Sequence, residues 1–222
     1  MKKALILSGG WEGHEPKLTS KFIAQKMEEI NYKVDISETL GVLDDINNLL
    51  TYDVIIPNWT MGEMEHATDP SDSSKINNFS NAIIDGVGLA GWHGGMGDTF
   101  RSNTEYQFIV GGQFVAHPGD IKKYEVIIQD KNHKITKGLD NFVVNTEQYF
   151  MHTDPSVTIL ADTSFSSDTL TWINGVKMPV VWTKEWGKGR VFYSSLGHSL
   201  NDLKDENILK LTIQGIIWAT RV

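Results

Sequence analysis

Short apolar runs at Lys3–Leu7, Asp53–Pro57 and Val87–Ala90, with an alternating run at Tyr32–Ile36, are separated by stretches of helical periodicity, and this rhythm limits the fold more than any other feature of the chain. A strand apolar at nearly every position is buried on both faces, which calls for a parallel sheet with helices packed on each side. The spacing predicts helices at about Lys17–Ile30, with Phe22, Ile23, Met27 and Ile30 near one face, and at Leu43–Leu50, with Asp44 and Asp45 in the first turn. A third is expected over Ser74–Ile84, announced by Asp69-Pro70-Ser71 and ended by Gly86. Ligands of such sheets bind beyond the carboxyl ends of the strands, so the loops after Leu7, Ile56 and Ala90 should share one rim. The second half changes character. Tyr124–Gln129, Ser156–Ala161, Pro179–Thr183 and Arg190–Ser195 read as strands, with turn signals at Asn174-Gly175 and Gly187-Lys188-Gly189, the latter closing a hairpin. Helices are expected at Asn103–Val110 and about Asp205–Thr220. With no repeat, low-complexity segment or convincing linker, the expected organisation is a single domain over residues 1–222.

The fourth apolar run opens the stretch Gly88-Leu89-Ala90-Gly91-Trp92-His93-Gly94-Gly95-Met96-Gly97, where five glycines bracket one imidazole. Glycine at 91, 94 and 95 removes the side chains that would crowd a sharp strand-to-helix turn, and is expected to supply positive backbone dihedrals on both sides of His93. The pattern parallels the elbow Gly-x-nucleophile-x-Gly of hydrolases, with histidine in the presented position. The alternative is a glycine-rich loop with an incidental histidine. The ending lacks Gly-Lys-Ser/Thr and the spacing is not Gly-x-Gly-x-x-Gly, so a phosphate cradle does not fit.

The absence of cysteine excludes disulfides, thiolate metal sites and a thiol nucleophile together. Histidines stand at 14, 66, 93, 117, 133, 152 and 198, and four of them, His14, His93, His117 and His198, fall in Gly- or Pro-containing loops. Imidazole exchanges protons near neutrality and, when neutral, ligates metals. No pair occurs at the close spacing of His-x-x-x-His, so a metal would have to be assembled across loops, from candidates among His14, His93, His117 and His198. Glu147 is the carboxylate to pair with them, or else a surface strand residue. Arg101 could hold an anion or a hydroxyl pair, or be a surface charge at a helix start. Trp11, Trp59 and Trp92 lie on or beside the expected rim; indole suits the C–H faces and hydroxyls of a sugar ring, although each tryptophan could equally be core. A net charge of −8, with Lys and Arg scattered, argues against a nucleic-acid partner. Met1–Leu7 has the charge of a signal n-region, but its apolar run stops at Ser8-Gly9-Gly10, and no stretch approaches the roughly 18 apolar residues of a membrane span. A cytoplasmic protein with no membrane partner is expected.

Taken together, Gly88-Leu89-Ala90-Gly91-Trp92-His93-Gly94-Gly95, Gly111-Gly112-Gln113-Phe114-Val115-Ala116-His117-Pro118, His133-Lys134-Ile135-Thr136-Lys137-Gly138-Leu139, Glu147-Gln148-Tyr149, Gly187-Lys188-Gly189-Arg190-Val191-Phe192-Tyr193 and Leu196-Gly197-His198 resemble the trehalose-utilisation (ThuA-like) family in order and spacing, over nearly the whole chain. The resemblance implies the fold of class I glutamine amidotransferases: α/β, flavodoxin-like and doubly wound, mainly parallel, here with an antiparallel extension in the second half. The amidotransferase elbow carries a catalytic cysteine, and His93 stands in its place, so glutaminase chemistry is not expected. The resemblance further implies bacterial carbohydrate catabolism, with trehalose, related disaccharides or their 3-keto derivatives as substrate class. The leading expectation is an acid/base enzyme in which His93 is the principal proton-transfer group and Glu147 and His198 are its partners. Trp11, His14, Trp59, Trp92, Arg101, His117 and Tyr149 are the substrate-binding candidates. Isomerisation or elimination beside a keto group comes first and hydrolysis second. The other reading is a non-catalytic carbohydrate-binding or sensing protein. A divalent metal, zinc foremost, is a candidate cofactor, against a metal-free site whose imidazoles hydrogen-bond sugar hydroxyls. The expected partner is a small-molecule carbohydrate, and homo-oligomer formation is left open.

Overall fold

The apolar runs line up side by side. In the computed structural model, which describes residues 1–64 and 72–222, the strands are β1 (Lys2–Gly10), β2 (Tyr32–Ser37), β3 (Val54–Thr60), β4 (Gly88–Trp92), β5 (Gly112–Ala116), β6 (Ile121–Ile128), β7 (Phe142–Glu147), β8 (Phe150–Thr153), β9 (Thr158–Ser164), β10 (Lys177–Trp186) and β11 (Gly189–Ser194). The helices are α1 (Pro16–Glu28), α2 (Ile46–Leu49), α3 (Ser74–Ile84), α4 (His93–Gly97), α5 (Thr104–Val110), α6 (Leu200–Leu203) and α7 (Glu206–Ala219). A nine-stranded sheet runs in the order β2-β1-β3-β4-β11-β10-β9-β6-β7, and β5 pairs with β8 as a separate ribbon. From β2 to β11 neighbours are parallel; from β11 to β7 they are antiparallel. This is the flavodoxin-like α/β sheet with its antiparallel extension. Among the described residues no helix is long and apolar enough to cross a membrane.

Period two explains why the central strands are apolar throughout. Ala4 and Ile6 of β1, Val54 and Ile56 of β3, Ala90 and Trp92 of β4 and Phe192 of β11 share one face and pack with Ile23 and Met27 of α1 and Leu211 and Ile216 of α7. Leu5, Leu7, Ile55, Leu89, Val191 and Tyr193 take the other face, against Phe79 and Ile83 of α3 and Ile109 and Val110 of α5. Each strand therefore feeds two cores.

Local chemistry moves several boundaries. The helix expected at Leu43–Leu50 divides into a 3-10 turn at Leu40–Asp44 and the short α2. Asp45 accepts a hydrogen bond from the backbone N–H of Asn47, so it caps the helix from outside rather than entering its first turn. Helix α1 stops at Glu28, and Ile30, expected on its buried face, is exposed. Strands β1 and β3 continue past Leu7 and Pro57 and pair as far as Gly10 and Thr60. Proline is tolerated within β3 because β4 pairs only with Val54 and Ile55, leaving a neighbour on one side beyond them. Strands β5, β7 and β8 are additions to the sequence-based assignment. His66 and the Asp69-Pro70-Ser71 start signal lie outside the described residues.

Candidate functional site

The glycine-rich stretch forms the expected elbow: β4 ends at Trp92 and α4 begins at His93 without an intervening loop. The positive dihedral, however, is at His93 itself, with φ +46°, and not at Gly91, Gly94 or Gly95. Holding a non-glycine residue there costs on the order of 1–3 kcal/mol, which the surrounding packing must offset. The glycines serve close approach instead. A Cβ on Gly94 would run into the ring of His14, and one on Gly95 would lie 2.6 Å from Asn58 Oδ1.

Three chain segments converge on His93. Its Nδ1 donates to the Ser195 carbonyl just beyond β11, at 2.8 Å. That bond aims Nε2 at Glu147 Oε2, 3.1 Å away at the end of β7, and at His198 Nδ1, 3.3 Å away in the loop after β11. His198 Nδ1 is 3.2 Å from the same Glu147 oxygen. His14, from the loop after β1, packs edge-on against both imidazoles, with ring centroids 4.8 Å from His93 and 5.1 Å from His198. Its Nδ1 pairs with Thr60 Oγ1 at the tip of β3, at 2.7 Å. The Tyr149 ring stacks on His93 with centroids 4.0 Å apart. The Tyr193 hydroxyl donates to the His93 carbonyl at 3.1 Å.

The loops are tied to one another. Glu15 Oε2 accepts from the backbone N–H of Leu200 at 2.9 Å, joining the His14 loop to the His198 loop. Asp202, in the capping box that starts α6, accepts from Thr146 Oγ1 at 2.7 Å, joining the His198 loop to the strand that carries Glu147.

Burial would raise the Glu147 carboxyl, but the imidazoles of His198 and His93 that face it outweigh burial and hold the group well below the usual carboxylate range. His198 moves up, chiefly through its hydrogen bond to Glu147. Burial pushes His93 down against the pull of Glu147. Burial, and then the neighbouring imidazoles His93 and His198, push His14 down to about 3. The Tyr149 phenol, buried beside Tyr193 and Glu147, stays protonated far above neutrality. The result is a carboxylate paired with His198, beside two neutral imidazoles.

Of the sequence candidates, His14, His93, Glu147 and His198 come together, and their donor atoms lie within 4.8 Å of one another, a set that could hold a metal ion. His117 is outside that set, with Nε2 3.9 Å from Glu147 Oε1, Nδ1 3.3 Å from Asp120 Oδ1, and a half-exposed ring at the rim. Trp11 stays at the mouth, 49% exposed and edge-on to His14 with centroids 4.7 Å apart. Trp59 packs against Gly9 and Gly62. Trp92 is a correction: it is 2% exposed within the core, because period two puts it on the same face as Ala90, leaving no surface for substrate. Arg101 is engaged in a forked pair with the buried Asp98, at 2.6 and 2.7 Å, and lies over Phe114, whose ring is 4.5 Å from Tyr149. His133 packs on Trp218, away from the cluster. Thr60, Ser195, Asp202 and Phe114 also shape the site and escape the sequence reading. Each acts on a residue far along the chain: Thr60 on His14, Ser195 on His93, Asp202 on Thr146 and Phe114 on Tyr149. Such partners follow from the fold, and the sequence holds no signal for them beyond residue type.

The fold and the site define a class first: an α/β sheet protein with a strand-to-helix elbow that presents histidine, not a thiol or hydroxyl, to a carboxylate and two further imidazoles. The chain belongs to the ThuA family, described as trehalose utilisation, whose model matches residues 3–219. No curated protein matches the sequence. Among solved structures, a ThuA-like protein from Bacteroides uniformis is 20% identical with a TM-score of 0.77, covering 98% of this chain and 91% of that one. A ThuA-like protein from Parabacteroides merdae is 19% identical with a TM-score of 0.75, covering 98% and 89%. A cytoplasmic protein from Salmonella typhimurium is 12% identical with a TM-score of 0.71, covering 99% and 100%. At these identities the likeness concerns the fold.

Proposed function

We propose that the protein is a cytoplasmic enzyme of carbohydrate breakdown that moves a proton on a sugar or keto-sugar, with trehalose-related disaccharides or their 3-keto derivatives as the substrate class. The observation that carries this reading is the meeting of His93 Nε2, Glu147 Oε2 and His198 Nδ1, 3.1 to 3.3 Å apart, above the carboxyl ends of the parallel strands. Trp11 at the mouth offers an apolar face for a sugar ring, and His117 offers a polar contact beside it, while the buried Tyr149 backs His93. Membership of a family described as trehalose utilisation supports the substrate class. Proton removal beside a keto group, leading to isomerisation or elimination, uses this set most directly, and hydrolysis is the second reaction type.

The test is turnover of 3-keto-trehalose and a 3-keto-glucoside by wild type and His93→Ala. Wild type should convert at least one of them, and the variant should be slower by at least about 100-fold. Sugar binding without conversion by either protein would replace the enzyme with a carbohydrate-binding or sensing protein.

A further inference from the structure

We infer that His93, Glu147 and His198 form a binding site for one divalent transition-metal ion, zinc by donor type, with His14 as the fourth group. Zinc bonds of about 2.0–2.2 Å to nitrogen and oxygen place the ligand atoms of a tetrahedral site about 3.3–3.6 Å apart. The three separations here are 3.1, 3.2 and 3.3 Å. His14 stands further off, with all four donor atoms inside 4.8 Å. Three close ligands and one held back describe an ion with a position open to water or substrate.

The hydrogen bonds around the cluster point the same way. The Ser195 carbonyl can only accept, so the neutral tautomer of His93 carries its proton on Nδ1 and turns the Nε2 lone pair into the pocket, as a metal ligand requires. In that tautomer His93 Nε2 and Glu147 Oε2 are two acceptors 3.1 Å apart, a contact that a shared proton or a metal ion between them relieves. A single proton can bridge one pair of the three atoms, whereas a metal ion satisfies all three pairs together. Thr60 Oγ1 can accept the Nδ1 proton of His14 in the same manner, which leaves its Nε2 lone pair free. An oxygen acceptor on the remote nitrogen of a ligating imidazole is the usual means of fixing tautomer and ring direction at metal sites. Imidazole-rich donors favour zinc and its first-row neighbours over magnesium or calcium. Such an ion would polarise a keto oxygen or acidify a bound water, which suits the proton transfer proposed above.

This inference deepens that reading, and its readout is metal content and affinity rather than turnover. Full-length protein without a histidine tag, stripped with a chelator and dialysed, is titrated with zinc chloride by calorimetry and assayed for bound metal. Wild type should take up one zinc per chain and melt at a higher temperature with zinc present. Glu147→Gln, nearly the same shape, should weaken binding by at least about 100-fold, and Thr60→Val, outside the ligand set, by about 10-fold. His133→Ala, away from the cluster, should bind as wild type does. Circular dichroism verifies that each variant is folded. No zinc uptake by folded wild type, or equal uptake by folded Glu147→Gln, would overturn the site. Zinc binding without conversion of any keto-sugar would keep the site and remove the proposed reaction.

Discussion

The parallel and antiparallel halves of the sheet contribute differently to the same pocket. The parallel half, from β2 to β11, supplies the imidazoles: His14 after β1, His93 after β4 and His198 after β11, together with Thr60 at the tip of β3. The antiparallel half supplies Glu147 at the end of β7, the link from β7 to β8 supplies Tyr149, and the ribbon beside it supplies Phe114. Inward of the edge strand β2, the strands of the first half are buried on both faces, as in β3, where Val54 to Pro57 are all buried. The outer strands of the second, β6 and β7, alternate: in β7 Val143 and Asn145 are exposed between buried neighbours. A doubly covered sheet holds its loops rigidly at one rim, while a half-covered sheet can bring a carboxylate up to that rim from the side. The site is therefore a seam, and its integrity depends on both halves.

The largest expected effect lies in the parallel half. Phe192 of β11 is fully buried, and Gly215 of α7 packs directly on its ring. Phe192→Ala should cost about 3–5 kcal/mol in denaturant unfolding, through lost burial and the cavity left behind. A loss below about 1 kcal/mol would show that the parallel half is not the rigid partner.

A smaller effect is expected where the ribbon is tied to the sheet. Lys184 of β10, with a side chain 6% exposed, pairs at 2.6 Å with Asp154, just after β8. The hydrogen bond from Lys184, and then one from the Ser156 backbone, lower the Asp154 carboxyl to about 2 from the ordinary 3.8. A folded-state value below the unfolded one means that the carboxylate stabilises the fold fully above about pH 4, and that this contribution is lost as pH falls through about 2. Asp154→Asn should cost about 2 kcal/mol near neutral pH, and the gap to wild type should close towards pH 2. A gap that does not change with pH would mean that the pair is not what holds the ribbon.

The smallest effect belongs to the outer strand. Val143 of β7 is 58% exposed, and Val143→Ala should change unfolding free energy by no more than about 0.5 kcal/mol. A cost comparable to that of Phe192→Ala would mean that another surface covers β7, and the contrast between the halves would then have to be redrawn.

The difference between the halves also governs how much could be read in advance. Continuous apolar runs at Leu5–Leu7, Val54–Ile56 and Leu89–Ala90 carry their own fold, because burial on both faces leaves no other arrangement for them, and with the glycine-bracketed His93 they made the parallel sheet and its elbow legible in the chain. The same pattern misplaced Trp92, since nearness to the rim in sequence does not say on which face of β4 a side chain falls. Strands β5, β7 and β8 were not recovered, because their half-exposed residues are patterned by neighbours far along the chain. Residue type, position in Gly- or Pro-containing loops and the family's motifs nominated His14, His93, Glu147 and His198 among the candidates. Only the tertiary structure decided that these four meet and that His117 stands outside them, because 54 positions separate Glu147 from His93 and 105 separate His198 from it. Distances across loops depend on strand order and register, and those are properties of the folded sheet rather than of any local stretch of sequence.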